Sequence, residues 1–248
     1  MTTPPGTGPA LLPPVPDAVA EPPPIWFVAP DGFYALPLAG TAEERAERSR
    51  EFVRGLYSRG DESLWEPAAP YYAGLAELMA GQGVSYAAMG LYSTADEESA
   101  PDAGVAQCAF TLAAVPTGQE TTAPDIAAQG ILAVLSADPH NDARWLDLPC
   151  GPAVSSVTLT KYEIDPDITA TGDPKSLLTG QIQVHIPFPT GPYTAVFTLH
   201  TASTDYWAEF CDLIMTVLRT VSFEEPEIGI VRAGSAEDGP GSGPAHES

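Results

Sequence analysis

Residues 178–186 constrain the fold more than any other stretch of the chain. Leu178, Ile182, Val184 and Ile186 alternate with Thr179, Gln181, Gln183 and His185. A period of two places these sets on opposite faces of a β-strand. The run ends in a turn at 187–192 that holds Pro187, Pro189 and Pro192, and residues 193–201 then read as a returning strand. The spacing predicts an antiparallel hairpin. A strand with one apolar and one polar face belongs to a sheet whose second face meets solvent or a partner.

The remaining elements are compatible with such a sheet. Residues 84–93 and 105–115 read as strands, and Cys108, Phe110 and Leu112 alternate on one face of the second. A short strand at 25–28 precedes the Pro30-Asp31-Gly32 turn and an extended run at 33–38. Thr41 and Glu44 have capping-box spacing, which predicts a helix to about Tyr57. Its inward stripe is Ala42, Ala46, Phe52, Val53, Leu56 and Tyr57. Further helices are predicted at 71–80 and, behind Pro124, at 125–135. Residues 145–148 and 154–163 read as strands broken by Pro149-Cys150-Gly151-Pro152. The last helix, 206–221, carries Trp207, Phe210, Leu213, Ile214, Val217, Leu218 and Val221 on a wide apolar face. Strands and helices come in blocks, so the expected class is α+β with an antiparallel sheet flanked by helices.

Composition sets the boundaries. Nine of the 27 prolines fall between Pro4 and Pro24, so residues 1–24 are expected to form an extended, disordered arm. Residues 227–248 turn rich in Gly, Ser and acid and are expected to be a disordered tail. The domain is expected to span 25–226, with a candidate subdomain break at 94–104, around the acidic loop Asp96-Glu97-Glu98 to Asp102. Residues 1–20 have neither a basic start nor an unbroken apolar run, so no signal peptide is expected. No stretch has the roughly 18 apolar residues of a membrane span. The expected location is the cytoplasm.

Charge excludes two classes of partner. The 33 acidic residues against 10 basic ones give a net charge of −23. Nucleic-acid binding needs cations to replace counterions on phosphates, and anionic membranes need them likewise. The expected partner is a protein.

No nucleophile elbow, phosphate loop, HExxH or EF-hand pattern occurs, and Cys108, Cys150 and Cys211 form no CxxC pair. They are expected to be reduced thiols. A general base or metal site would have to come from His140, His185, His200 or His246. A hairpin centred near Pro189-Thr190 pairs His185 with about residue 194, leaving His200 roughly 20 Å away at about 3.3 Å per residue. Both are expected to face solvent. Asp165, Asp167 and Asp173, and likewise Asp138 and Asp142, lack calcium-loop spacing. No metal and no cofactor is expected.

Two surfaces are binding candidates. One is the polar hairpin face, with Gln181, Gln183, His185, Thr198 and His200. The other is the first helix, where Arg45, Arg48, Arg50, Arg54 and Arg59 concentrate half of the basic residues. Pairs Glu44–Arg48, Glu47–Arg50 and Glu51–Arg54 have helix-stabilising spacing. Arg45, Arg48 and Arg54 are the alternative contact, suited to an acidic partner.

The segment from Trp26 to Leu38 before a helix, the step Leu148-Pro149-Cys150-Gly151-Pro152-Ala153-Val154, and the finish with Trp207-x-x-Phe210 and Thr220-Val221-Ser222-Phe223 carry a resemblance. The chain resembles actinobacterial proteins of the PsbP-like (Ran-binding Mog) fold group, over its C-terminal half. The resemblance implies an antiparallel sheet flanked by helices and a binding or chaperone-like role, attending a secretion or signalling system. It carries over no site residue, and the lipobox of the group's lipoprotein members is missing. Two readings follow: a non-enzymatic binding or accessory protein, or an enzyme whose site is unrecognised or completed by a second chain. A deep pocket with converging titratable groups distinguishes the second from a broad groove along the sheet.

Overall fold

The computed structural model describes residues 22–38, 40–58, 60–94, 104–117, 123–165 and 175–226. The arm before residue 22, the tail after 226, the acidic loop 96–102, Arg59, Asp167 and Asp173 lie outside them. Among the described residues, seven strands form one antiparallel sheet: β1 (Phe33–Ala35), β2 (Val84–Ser93), β3 (Val105–Pro116), β4 (Asp142–Leu148), β5 (Gly151–Ile164), β6 (Lys175–Pro187) and β7 (Tyr193–Thr201). Their order is β1-β2-β3-β7-β6-β5-β4. Four described α-helices flank it: α1 (Ala42–Leu56), α2 (Trp65–Gly81), α3 (Pro124–Leu135) and α4 (Trp207–Leu218). The class is α+β.

Helix α1 starts where its capping box sets it. The Glu44 carboxylate accepts from the Thr41 amide at 2.8 Å and the Thr41 hydroxyl accepts from the Glu44 amide at 3.3 Å. Its buried residues are Ser49, Phe52 and Val53, whereas Ala42 is exposed, so the inward stripe begins a turn later than the sequence pattern places it. Helix α2 begins at Trp65, six residues before the expected start. The Asp61 carboxylate, held below its usual pKa by Ser63, caps a 3-10 turn over Glu62–Leu64 that leads into it. Pro70 lies inside the helix, on its exposed side, where the carbonyl it cannot pair is not shut away from solvent.

Four further expectations are corrected. Residues 25–28 form one bridge, Trp26 to Ser222, rather than a strand; Phe27 nevertheless enters the core against Tyr86, Phe110 and Phe197. The segment 149–152 interrupts nothing but the two-residue turn Pro149-Cys150, since Leu148 pairs with Gly151, whose φ of 134° favours glycine. The β6–β7 register sets His185 opposite Val196, not residue 194, because Phe188 closes a longer turn by donating to the Tyr193 carbonyl at 2.9 Å. Beyond Gly180 the β5–β6 pair outruns β4 and β7, so Leu178 is exposed; on the other face Thr179 is buried, its hydroxyl donating to the Thr160 carbonyl at 3.4 Å.

One sheet face carries the main core. There Phe110 and Leu112 of β3, Ile182, Val184 and Ile186 of β6, and Phe197 and Leu199 of β7 pack with Phe210, Ile214, Val217 and Leu218 of α4. Cys108 lies in this core, and burial pushes its thiol up to about 11. The other face carries two separate helical layers. Helices α1 and α2 pack together against β1 and β2, around Leu36, Phe52, Val53, Tyr72 and Ala87. Helix α3 lies against β4, β5 and β6.

Candidate functional site

Between α2 and α3 the sheet face is left partly open. Strand alternation brings Ala109, Thr111 and Ala113 of β3, Val196, Thr198 and His200 of β7, and Gln181, Gln183 and His185 of β6 onto this floor, and each remains at least partly accessible. Register sets Gln181 opposite His200 and Gln183 opposite Thr198, and the Gln183 side-chain amide donates to the Thr198 hydroxyl at 3.4 Å. The hairpin residues expected to form a binding face are therefore gathered on one floor. His185 and His200 stand four residues apart along the hairpin, about 13 Å, closer than the expected spacing but too far to share a proton.

His185 does not face solvent. It lines a hollow of about 610 Å³ together with Thr117 and the α3 residues Ile126, Gly130, Ile131 and Val134. Burial beside this helix holds its imidazole below the usual pKa, so it is neutral at pH 7. Its Nε2 is buried without a hydrogen-bond partner, as is the hydroxyl of Thr194, a diagonal neighbour on the same sheet face. On the opposite bank Tyr71 and Leu75 of α2 line a second hollow, of about 250 Å³, with Met89, Ala109 and Thr111.

The walls are what sequence reasoning missed. Ile126 and Val134 are 63% and 73% exposed, and Tyr71 and Leu78 are 69% and 62% exposed. The signal was present in α3, whose sequence is apolar around most of its circumference although Ala128 is its one fully buried residue. A helix apolar on every side is ordinarily buried on every side.

The arginine surface is separate from the channel. Helix α1 lies beyond α2, against the edge strand β1. Arg45 donates to the Gly40 carbonyl at 2.6 Å and approaches Glu77 at 3.9 Å, which ties α1 to α2. Arg48 and Arg54 are exposed. Among the described residues the expected pairs Glu44–Arg48, Glu47–Arg50 and Glu51–Arg54 form no ion pair; Glu44 is held by the capping box instead.

Chemically, the channel offers amide, hydroxyl and imidazole groups between apolar walls. Its α3 hollow has His185 as its one titratable lining residue among the described residues. One sheet face packs against α4, and the other is left partly open between two helical layers. No family model matches the chain, and no curated protein sequence matches it. No described helix is long and apolar enough to cross a membrane.

Proposed function

We propose that this is a non-enzymatic binding or accessory protein, chaperone-like in action, that holds a partner protein in the channel between α2 and α3. The observation that carries the reading is the channel's composition: a floor of amide, hydroxyl and imidazole groups that donates and accepts hydrogen bonds, between walls that include exposed Tyr71, Ile126 and Val134. Groups of this kind shed water at lower cost than charges do, and the apolar walls supply the driving force. His185 is the one titratable residue among the described residues that line its hollow, so no neighbouring charged group is there to orient the imidazole or relay its proton.

The test is partner capture from native lysate with the full chain. Replacing Gln181, Gln183 and Thr198 together by lysine places three cations on the floor and abolishes capture, while the thermal midpoint of the fold is kept. Reversing Arg45, Arg48 and Arg54 to glutamate leaves capture intact. If the lysine variant captures the same partners at full yield, the channel is not the binding surface. If the arginine variant alone loses them, and wild-type capture falls steeply with salt, the contact is electrostatic and lies on α1.

A further inference from the structure

We infer that the occupant of the channel is a single α-helix of the partner, lying between α2 and α3 and completing the helical layer on this face of the sheet. The inference rests on the channel reading above and adds the shape and chemistry of what fills it.

Spacing comes first. Helix α2 lies over β2 and α3 is centred on β5, and the sheet order between them is β2-β3-β7-β6-β5. Four interstrand steps of about 4.8 Å separate the two helices by about 19 Å. Helices packed side by side stand about 8–10 Å apart, so the gap is one helix wide. A third helix seated there would touch both neighbours and the sheet at ordinary packing distances.

The walls are built for a helix as well. Tyr71, Leu75 and Leu78 follow one another at i, i+4 and i+7 along α2, and Ile126, Gly130 and Val134 at i, i+4 and i+8 along α3. Each row runs along one side of its helix. Gly130 is exposed, and a Cβ built there meets no atom within 4 Å, so a neighbouring backbone can approach α3 closely at this point.

An extended segment fits poorly. The floor strands β3, β7 and β6 are hydrogen-bonded on both edges within the sheet, so no strand edge is free there for β-augmentation. Whatever fills the channel meets the floor through side chains alone and must satisfy its own backbone, as a helix does.

Floor and net charge then specify the sequence of that helix. Gln181, Gln183, Thr198 and His200 call for uncharged polar side chains facing down. The two flanks call for Leu, Ile, Val or Ala. A net charge of −23 favours Lys and Arg on the outer surface.

The experiment is a display selection on the full chain. The probes are peptides about 20 residues long, roughly 30 Å when helical. One library has apolar flanks, Ser, Thr, Asn or Gln inside and Lys outside at helical spacing; its twin has the same composition interrupted by prolines. Helical peptides are expected to be enriched and to gain helical circular dichroism on binding. Gly130→Phe, whose ring projects into the channel without meeting the core, weakens them by at least about tenfold, and Gly130→Ala leaves them bound. Melting curves confirm that both variants are folded.

Enrichment of proline-broken peptides that lose binding to Gly130→Phe and to the lysine triple variant overturns the helix while sparing the channel. Peptides indifferent to both variants overturn helix and channel together. No binding by either library overturns the helix. Binding that appears only after removal of residues 1–21 or 227–248 assigns the channel to the chain's own segments and overturns a partner helix.

Discussion

At Gly180 the sheet makes room for a ring. A Cβ at this position would fall within the indole of Trp207, at the start of α4, so β6 and α4 approach closely only because residue 180 has no side chain. Gly180→Ala is expected to cost about 1–3 kcal/mol through overpacking, read as a lower denaturation midpoint with an unchanged m-value. His185 makes the second prediction at this scale. Its folded-state pKa is depressed by burial, so the unfolded chain binds a proton more readily. The stabilisation from keeping it neutral is complete above its unfolded pKa of about 6.5 and is lost as pH falls from there through the lowered folded value. His185→Gln removes that slope. Matched melting series for the two proteins are expected to differ in slope below about pH 6.5 and to run parallel above it; parallel curves throughout would place the imidazole in solvent.

Among elements, α3 and α4 show what an apolar helix can mean. Helix α4 buries Phe210, Ile214, Val217 and Leu218 on one face and leaves Asp212 and Thr216 outside. Phe210, 2% exposed, edges against the Tyr92 ring at 6.2 Å. Phe210→Ala is expected to cost roughly 3–5 kcal/mol in chemical denaturation, from lost transfer energy and the cavity left behind. Helix α3 carries a similar share of apolar residues yet spends them outward. Gly130 lies in its interior with open space around its Cα. Gly130→Ala is expected to stabilise the protein by about 0.5–1 kcal/mol, seen as a raised melting temperature, because alanine loses less backbone entropy in a helix. A fall instead would show that this space is filled in solution.

For the whole molecule, both ends of the described chain meet on the face that carries the main core. Trp26 and Ser222 exchange backbone hydrogen bonds of 2.8 and 2.9 Å, the Val28 amide donates to the Thr220 hydroxyl at 2.9 Å, and Phe27 stacks edge-on to Tyr86 and Phe197. Deleting residues 1–24 is expected to leave stability unchanged. Deleting 1–28 removes this clasp and its buried ring, and is expected to cost about 3–5 kcal/mol, on the scale of a core phenylalanine. Comparing the two truncations by thermal denaturation isolates the contribution of residues 25–28.

Local pattern determined which segments became strands and helices. The alternation of Ile182, Val184 and Ile186, the capping box at Thr41 and Glu44, Pro124 at the head of α3 and the apolar face of α4 each act over a few residues, so they are legible without knowing what packs against them. The polar hairpin face was legible for the same reason. What sits over that face was not. Two sheet histidines with similar flanking sequence part company because α3 covers His185, while His200 lies on the open floor beside Gln181. That cover depends on helices from residues 65–81 and 124–135 landing on opposite sides of the same sheet face. Long-range packing sets where they land, and the unfilled lane between them is a distance that no local sequence pattern encodes.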